Sequence, residues 1–461
     1  MNKKSFFITL SAVFILFGCN STKKAAPSSK KLTPQELIRE NRINEAKNEF
    51  VMPNDINGLD SEGNTVLHLA AEINDADLVT YFLFRGADPQ IKNLDGDTPL
   101  HIAIWNSAFE AAQAITTVNP GTLFDRDGNG NTALDLALVM DEAWYDILVT
   151  TKAGEVRDTE GQTIVHYFVR TNNLLGVQKC IEKGIPVSVK DNEGKTPLDY
   201  AFENIDDSDS VEIAAELIMG GAEEVDTEFS YFQDAVAARN MNTRFDDGQT
   251  PLHLAAIMGH SAIADYLLAH KAETAVQDSS GATPLHEAVR YGNVGIARSL
   301  LNAGANPNAR DNLGKTPIML AIPEDKIVET YQLLIDYRTD LSQKDMFGDT
   351  VLHTAAMMNL TSDVISILVS HGADIDARNK EGVTPLEIAV QKNNIELVHL
   401  LTQNGANIHT QDTNGNSPLS MAFASTNEML EAVVNSRNCT SQDSDGNTPL
   451  HIALLTDAPL S

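Results

Sequence analysis

Cysteine is scarce in this sequence, which has three cysteines among 461 residues. Cys180 and Cys439 are separated by many units of the repeat described below. At about 10 Å for each packed helix layer, they should lie tens of ångströms apart. A disulfide needs Cα atoms within about 7 Å, so we expect no intramolecular bridge between them. No paired-cysteine metal motif is present.

Positive charge is also in short supply. The chain has 33 Lys and Arg against 64 Asp and Glu, for a net charge of −31. Binding to phosphate backbones requires clustered cations, so this balance excludes nucleic acid as the expected partner. Two interpretations of the acidic excess stay open: a surface that keeps the protein soluble, or selection for a basic partner.

The apolar run near the N-terminus, Phe6 to Phe17, has 12 residues, whereas a permanent membrane span takes about 20. It follows Lys3 and Lys4, as in an export signal. The sequence Leu16-Phe17-Gly18-Cys19 resembles a bacterial lipobox, with Phe17 bulkier than is usual there. The resemblance implies a lipoprotein signal peptide over 1–18 and lipidation of Cys19. An ordinary secretory leader is the alternative.

Residues 19–32 are small, polar and basic, which is typical of a flexible membrane tether. Asn20 stands where Asp would favour the inner membrane, so we expect an exported lipoprotein anchored in a bacterial outer membrane. Either the periplasmic side or the cell surface fits the sequence.

A repeated unit organises the rest of the chain. Its clearest copy is Thr-Pro-Leu-His at 250–253, and the gaps between copies are 31–34 residues, with one gap of 54. The motif threonine recurs, once as serine, at Thr65, Thr98, Thr132, Thr163, Thr196, Thr250, Thr283, Thr316, Thr350, Thr384, Ser417 and Thr448. A fixed period of this size is typical of a stacked repeat architecture.

Each unit reads as a hairpin, a helix, a loop and a second helix. Thr is a good N-cap, and Pro at the first helical position loses no hydrogen bond. A glycine two residues before every motif threonine predicts a turn with positive φ. Gly-Ala pairs such as Gly304-Ala305 predict the end of the second helix. One unit cannot bury its apolar face alone, so neighbours must stack.

Thr-Pro-Leu-His with an alanine two places later, at a 33-residue period, resembles the ankyrin repeat. The resemblance covers about twelve units over roughly 60–461. It implies an all-α solenoid of stacked helix-loop-helix units with β-hairpin turns, curved, in a monomeric protein without catalysis. It also implies that the motif histidines are structural, each hydrogen-bonded to a neighbouring hairpin.

The domain boundaries follow from the spacing of the units. We predict an N-terminal stack with a capping repeat over 33–225, a degenerate half repeat over 226–245 and a C-terminal stack over 246–461. The segment Glu203–Ser210 should lengthen a loop, and a kink is expected near 203–245. Pro323 should shorten the helix that follows Thr316.

The sequence offers little chemistry. Residues 125–130 match the first half of a calcium-binding loop, but the closing Glu is missing, since Leu136 stands there. The second histidine of a zinc-protease helix is absent after His286-Glu287. We therefore predict no catalytic residue, no metal site and no cofactor.

In the family that the repeat resembles, partners dock on hairpin tips and on the exposed flank of the first helices, the concave side. Met, aromatic and other residues that depart from the usual polar ones cluster at these positions, and such side chains are typical of adaptable binding surfaces. The predicted partner-binding residues are Trp105, Met140, Ile257, Met258, Arg290, Tyr291, Met346, Phe347, Met357 and Met358.

These observations predict a membrane-tethered lipoprotein that binds a protein partner through its concave face. Two alternatives stay open. A structural spacer or scaffold of the cell envelope would not need the apolar residues, and an inhibitor or protector of a partner enzyme would use the acidic surface.

Overall fold

The computed structural model describes residues 32–49, 56–223, 227–321 and 325–455. The signal peptide predicted over 1–18, Cys19 and the tether up to residue 31 lie outside the described residues. The chain forms two compact units, one that ends at Leu136 and one that begins at Ala137. The predicted domain boundaries at 225 and 245 stay predictions.

The first unit consists of short helices in pairs. They are α1 (Pro34–Arg39), α2 (Ile43–Glu49), α3 (Val66–Glu72), α4 (Ala76–Phe84), α5 (Pro99–Trp105), α6 (Phe109–Val118), a 3₁₀ helix at Pro120–Phe124 and the start of α7 (Ala133–Met140). Helix α3 packs on α5, and α4 packs on α6. Leu67, Leu78 and Phe82 are fully buried in this core.

The local sequence explains where these helices begin. Thr33 caps α1, because its side chain accepts a hydrogen bond from the Glu36 backbone while the Glu36 side chain accepts one from the Thr33 backbone. Leu37 and Ile38 are buried, whereas Arg39 and Arg42 are exposed. The helix pair α1–α2 therefore has one apolar face, on α3, and one polar face.

The second unit continues the same pattern. Its helices are α8 (Ala143–Leu148), α9 (Thr151–Glu155), α10 (Ile164–Arg170), α11 (Leu174–Glu182), α12 (Pro197–Glu203), α13 (Ser208–Met219), α14 (Ser230–Ala237), α15 (Pro251–Met258), α16 (Ser261–Ala269), α17 (Pro284–Arg290), α18 (Val294–Asn302), α19 (Ile327–Asp336), α20 (Val351–Met357), α21 (Ser362–Ser370), α22 (Pro385–Gln391), α23 (Ile395–Gln403), α24 (Pro418–Phe423), α25 (Asn427–Val433) and α26 (Pro449–Leu455), with 3₁₀ helices at Thr227–Phe229 and Pro317–Leu320.

Two rows of helices run through the second unit. First helices pack side by side from α15 through α17, the 3₁₀ helix at Pro317–Leu320, α20 and α22 to α24. Second helices pack in an unbroken row from α11 through α13, α16, α18, α19, α21 and α23 to α25. Each helix thereby buries its apolar stripe between its two neighbours, as a stacked repeat requires. The predicted all-helical repeat solenoid is confirmed.

The long gap between Thr196 and Thr250 contains half a repeat. Helix α14 is followed directly by the turns that precede α15, and the described residues show no second helix between them. As a result α13 packs directly on α16. One part of the prediction was wrong: Ser208–Ser210 form the first turn of α13, capped by Asp207, and do not lengthen a loop.

The repeat that starts at Thr316 departs from the others. Its first helix is a four-residue 3₁₀ helix, Pro317–Leu320, and Ala321 is already extended. Pro323, which cannot continue a helix, follows two residues later. The predicted shortening of this helix is confirmed.

The predicted hairpins form as tight turns. In the described part of the chain, the only isolated β-bridge is antiparallel and joins Arg126 to Thr132. No helix among the described residues is long and apolar enough to cross a bilayer.

Candidate functional site

Each motif threonine is preceded by a projecting turn, which we call a finger: the five residues before the threonine. In the finger at 278–282, Asp278 Oδ1 accepts hydrogen bonds from the backbone N–H groups of Ser280 and Ala282, at 2.8 and 2.9 Å. Gly281 completes the turn with φ of +79°. The carboxylate is used to hold the turn, which explains why Asp or Asn begins nearly every finger.

All twelve glycines predicted to have positive φ do so. Their φ values run from +73° to +90° at Gly63, Gly96, Gly130, Gly161, Gly194, Gly248, Gly281, Gly314, Gly348, Gly382, Gly415 and Gly446. Side chains rarely adopt this backbone conformation, and glycine adopts it freely. The prediction is confirmed, and the fingers share one turn geometry.

The finger tips of the second unit are joined in a row by backbone hydrogen bonds. Amides of Ser279, Asn312, Met346, Lys380 and Thr413 donate to the carbonyls of Asp247, Ser280, Leu313, Phe347 and Glu381, in that order, at 2.8–3.0 Å. Each bond joins one finger to the next. The six fingers from Phe245 to Asn416 therefore present their tips as one continuous edge.

The motif histidines tie each first helix to the next finger. The backbone N–H of Thr250 donates to Nδ1 of His253 at 3.1 Å, so Nε2 carries the proton and donates to the carbonyl of Ala282, also at 3.1 Å. The same pair of contacts occurs at His68, His101, His166, His286 and His353. Burial lowers the pKa of each of these histidines. The predicted structural role is confirmed for these six histidines, whereas the seventh, His451, is exposed and contacts Thr448 but no finger among the described residues.

Seven of the ten predicted partner-binding residues have exposed side chains. They are Trp105 in the first unit and Met140, Met258, Tyr291, Met346, Phe347 and Met357 in the second. Phe347 exposes 55% of its surface and Tyr291 48%. Within the second unit, large apolar side chains this exposed on nearby repeats, as at Tyr291, Phe347 and Met357, are typical of a docking surface.

The other three predicted residues, Ile257, Arg290 and Met358, are half-buried. Arg290 Nη2 lies 3.8 Å from Oε1 of Glu287, one turn earlier on α17. Glu287 is buried, and burial raises the pKa of its carboxyl. Arg290 thus also serves as the internal counter-charge of Glu287.

The structure brings Met346 and Phe347 together with Leu313, which the sequence reasoning missed. Met346 N–H donates to the Leu313 carbonyl at 2.8 Å, and Leu313 is 46% exposed. A signal was present: the residue three before the motif threonine is Asp, Glu, Asn or Ser in ten repeats, and the exceptions are Leu313 and Phe347. Leu94, Ile73 and Val139 are further exposed apolar residues at finger or helix-end positions.

Tyr291 has charged neighbours. A shallow pocket is lined by Tyr291, Gly292, Asn293, Asp325 and Lys326. An aromatic ring beside one carboxylate and one ammonium offers both apolar contact and polar pairing to a partner.

Two further features could carry chemistry: the cysteines and the stretch that matches half a calcium loop. Cys180 and Cys439 are free thiols; the first is buried, which raises its pKa, and the second is exposed. Within the described ranges, no group of three His, Cys, Asp or Glu side chains could hold a metal ion. Asp127, in the stretch that matches half a calcium loop, accepts from the backbone amides of Asn129 and Asn131.

Comparison with known families agrees with this geometry. A family model described as "Ankyrin repeats (3 copies)" matches residues 32–120, 67–150, 227–311, 273–345, 318–412 and 388–459, well over half of the chain. The chain belongs to the ankyrin-repeat family. The matches leave out 151–226, where the structure nevertheless shows ankyrin-type helix pairs after Thr163 and Thr196.

Curated proteins with similar sequences match parts of this ankyrin-repeat chain. The chicken nuclear factor NF-kappa-B p105 subunit is 28% identical over 230 residues, which is 48% of this chain and 21% of that protein. The mouse B-cell lymphoma 3 protein homolog is 38% identical over 231 residues, 48% of this chain and 47% of that protein. Mouse neurogenic locus notch homolog protein 1 is 31% identical over 144 residues, 31% of this chain and 6% of that protein.

The chain therefore spans a quarter or less of two of these relatives and about half of the third. The similarity shows the repeat family. Ankyrin repeats suggest a role in protein–protein interaction.

Proposed function

We propose that this ankyrin-repeat protein binds a protein partner through the finger tips and first-helix ends of its second unit. The observation that carries the proposal is the row of fingers joined by backbone hydrogen bonds, on which Leu313, Met346 and Phe347 are exposed side by side. Apolar side chains held on a rigid edge lose little conformational entropy on binding, which favours affinity. Met258, Tyr291 and Met357 extend the apolar positions to the ends of the first helices.

We further propose that the chain is exported and tethered to a membrane by lipid on Cys19, in a bacterial outer membrane. The lipobox-like sequence Leu16-Phe17-Gly18-Cys19 and the polar residues that follow support this part. Several acyl chains anchor a protein far more firmly than one. The tether would hold the binding surface a short way from the membrane.

Affinity capture tests the binding proposal. The chain and its Tyr291→Ala/Phe347→Ala/Met357→Ala variant are used as bait against envelope and secreted extracts of the producing organism. Binding predicts a protein retained by the natural chain and lost by the variant. Equal recovery would refute the proposed surface, and no specific recovery would favour the spacer interpretation.

Metabolic labelling with a radioactive fatty acid tests the tether. We expect label on the natural chain and none on Cys19→Ser, which should also leave the membrane fraction. Cys439→Ser, which changes an exposed thiol far along the chain, is the matched control and should keep the label. An unlabelled natural chain would contradict the lipoprotein proposal and favour an ordinary secretory leader.

A further inference from the structure

One side of the finger row in the second unit carries a series of side chains that reach from finger to finger. Each stands six residues before a motif threonine and donates a hydrogen bond to a backbone carbonyl one repeat further on, at 2.6–3.3 Å. The donors are Arg244, Gln277, Arg310, Lys344 and Arg378, and the acceptors are the carbonyls of Gln277, Arg310, Lys344, Arg378 and Gln411. We call the five donors the ladder.

Four of the five ladder residues are cations, and all four are exposed. A carbonyl accepts a hydrogen bond without neutralising the donor's charge. None of the ion pairs among the described residues includes Arg310, Lys344 or Arg378. Gln277 makes the same contact with no charge, which shows that the hydrogen bond itself does not require a cation.

The ladder cations lie next to the apolar finger tips. A Cβ atom on Gly314 would lie 2.5 Å from Nη2 of Arg310 and 3.1 Å from the backbone nitrogen of Met346. The guanidinium therefore lies against the same turn that presents Leu313. Phe347 is joined through its carbonyl to Lys380, on the finger that follows Arg378. Apolar and cationic groups thus alternate along a single edge.

This edge differs from the rest of the molecule. The net charge of the chain is −31, and the residue three before the motif threonine is Asp or Glu in seven of twelve repeats, including Asp247 and Glu381 on either side of the apolar tips. Between them, on the fingers at 278–282 and 311–315, the tip residues Ser280 and Leu313 carry no charge, and the half-buried carboxylates of Asp278 and Asp311 accept backbone hydrogen bonds within their own turns. The carboxylates of Asp345 and Asp349 are buried at the base of the next finger. The exposed charge beside Leu313, Met346 and Phe347 is therefore mainly positive.

We propose that the strip formed by Arg310, Leu313, Lys344, Met346, Phe347 and Arg378 binds an extended segment of a partner protein in which apolar side chains alternate with carboxylates. The proposal rests on the protein-binding function proposed above and names the partner's chemistry. The partner's apolar side chains contact Leu313, Met346 and Phe347, and its carboxylates pair with the cations, one on each successive repeat. Charge complementarity of this kind selects among partners. It runs against one of the two interpretations of the acidic excess, selection for a basic partner.

Two synthetic peptides test the partner chemistry. Both carry a fluorophore and alternate Phe or Leu with charged residues, Glu in one peptide and Lys in the other. Their binding to the purified full-length chain is followed by fluorescence anisotropy at low and at high salt. We expect the Glu peptide to bind at least tenfold more tightly than the Lys peptide, and the difference to shrink with salt because the charges are exposed.

The matched variants keep the ladder hydrogen bonds, since Gln already occupies position 277. Arg310→Gln/Lys344→Gln/Arg378→Gln should abolish the preference for the Glu peptide. Arg244→Gln removes a ladder cation two fingers away from the apolar tips and should change the Glu-peptide affinity less than twofold. Circular dichroism of each variant verifies that the helices are retained.

Three results would overturn the proposal: equal or tighter binding of the Lys peptide, an unchanged preference in the triple Gln variant, or strip-dependent binding of a single-stranded DNA oligomer or of phosphatidylglycerol vesicles in place of the Glu peptide. The first two leave the proposed protein-binding function intact if the Tyr291/Phe347/Met357 variant still loses a captured partner. Failure of that capture as well would refute both.

Discussion

His253 Nε2 lies 3.1 Å from the carbonyl oxygen of Ala282, 29 residues further along the chain, and both groups are buried. The ring also accepts the Thr250 backbone N–H through Nδ1. One neutral side chain therefore caps its own helix and fixes the next finger. Repeated along the chain, this contact sets the register of each finger relative to the helix before it, and the finger row carries the proposed binding edge.

Removal of this contact should destabilise the stack. His253→Ala leaves the Ala282 carbonyl and the Thr250 amide without partners in a buried place, so we expect the free energy of unfolding to fall by about 2–4 kcal/mol. Urea unfolding followed by circular dichroism measures the change. His451 is exposed and contacts Thr448 but no finger among the described residues, so His451→Ala should cost less than about 0.5 kcal/mol. Equal costs would contradict the proposed role of the contact.

Six such histidines make stability depend on pH. Their folded pKa values are lowered, so below the ordinary histidine pKa of about 6.5 the unfolded chain takes up protons that the folded chain does not. The contribution of these neutral histidines to the free energy of unfolding is therefore fully present above pH 7 and is lost as the pH falls from about 6.5. We expect the Tm to drop between pH 7.5 and 5.5, and to drop less in His253→Gln. The same slope in both proteins would show that His253 does not contribute.

Glu387 should have the opposite effect. It occupies the motif position that holds histidine in seven repeats, it is fully buried, and neither carboxyl oxygen has a hydrogen-bond partner of ordinary geometry. Burial and the Asp412 carboxylate raise the pKa of Glu387 to about 7. Because the folded pKa is raised, the contribution of Glu387 to the free energy of unfolding is fully present below pH 4.5, where the carboxyl is protonated in both states. As the pH rises to 7, the free energy of unfolding falls by up to about 3 kcal/mol.

Replacing Glu387 separates this effect from that of the histidines. Glu387→Gln cannot ionise, so it should raise the free energy of unfolding at pH 8 and have little effect at pH 4.5, as measured by urea unfolding at both values. Glu387→His should also stabilise at pH 8, because it restores the usual donor to the next finger. A Gln variant that is equally or less stable than the natural chain at pH 8 would rule out an ionised, unfavourable Glu387.

Gly281, in a finger that contacts the next one closely, should tolerate substitution less than Gly304 at a helix end. Gly304 has φ of +89° with no atom within 4 Å of a new Cβ, so Gly304→Ala should cost only the backbone strain, about 1–2 kcal/mol. At Gly281, with φ of +79°, the new Cβ would also lie 2.6 Å from the backbone nitrogen of Asn312 on the next finger. Gly281→Ala should therefore cost at least about 1 kcal/mol more in urea unfolding. Equal costs would indicate that the fingers do not restrain each other.

Much of this fold could be predicted from sequence because its determinants are local. Thr and Pro specify where a helix begins, and glycine two residues earlier specifies the turn, so periodic spacing identified both. Asp207 shows the limit. From the sequence, the acidic segment around it was predicted to be a loop. An Asp that caps a helix cannot be distinguished by sequence from an Asp in a solvated loop, because the difference depends on whether the residues that follow pack as a helix.

The candidate surface was partly predictable for a related reason. Helix-end positions can be counted from the motif threonine, which located Met258, Tyr291 and Met357. Leu313 was missed because it lies at a finger tip, away from the helix-end positions that were compared, although alignment of the repeats shows an apolar residue there in place of the usual polar one. Its significance depends on the hydrogen bond that places Met346 beside it. The ladder likewise depends on contacts 33 or 34 residues apart, which spacing alone does not reveal.

The most direct test of partner binding is site-specific photo-crosslinking in the producing cells. A benzophenone amino acid replaces Phe347 on the finger row in one strain. In a second strain it replaces Ser366, which is exposed on α21, a second helix. The proposed surface predicts a discrete crosslinked protein from position 347 that is absent at 366 and lost when Tyr291 and Met357 are also changed to Ala. The same crosslinks from both positions, or crosslinks from 366 alone, would contradict it.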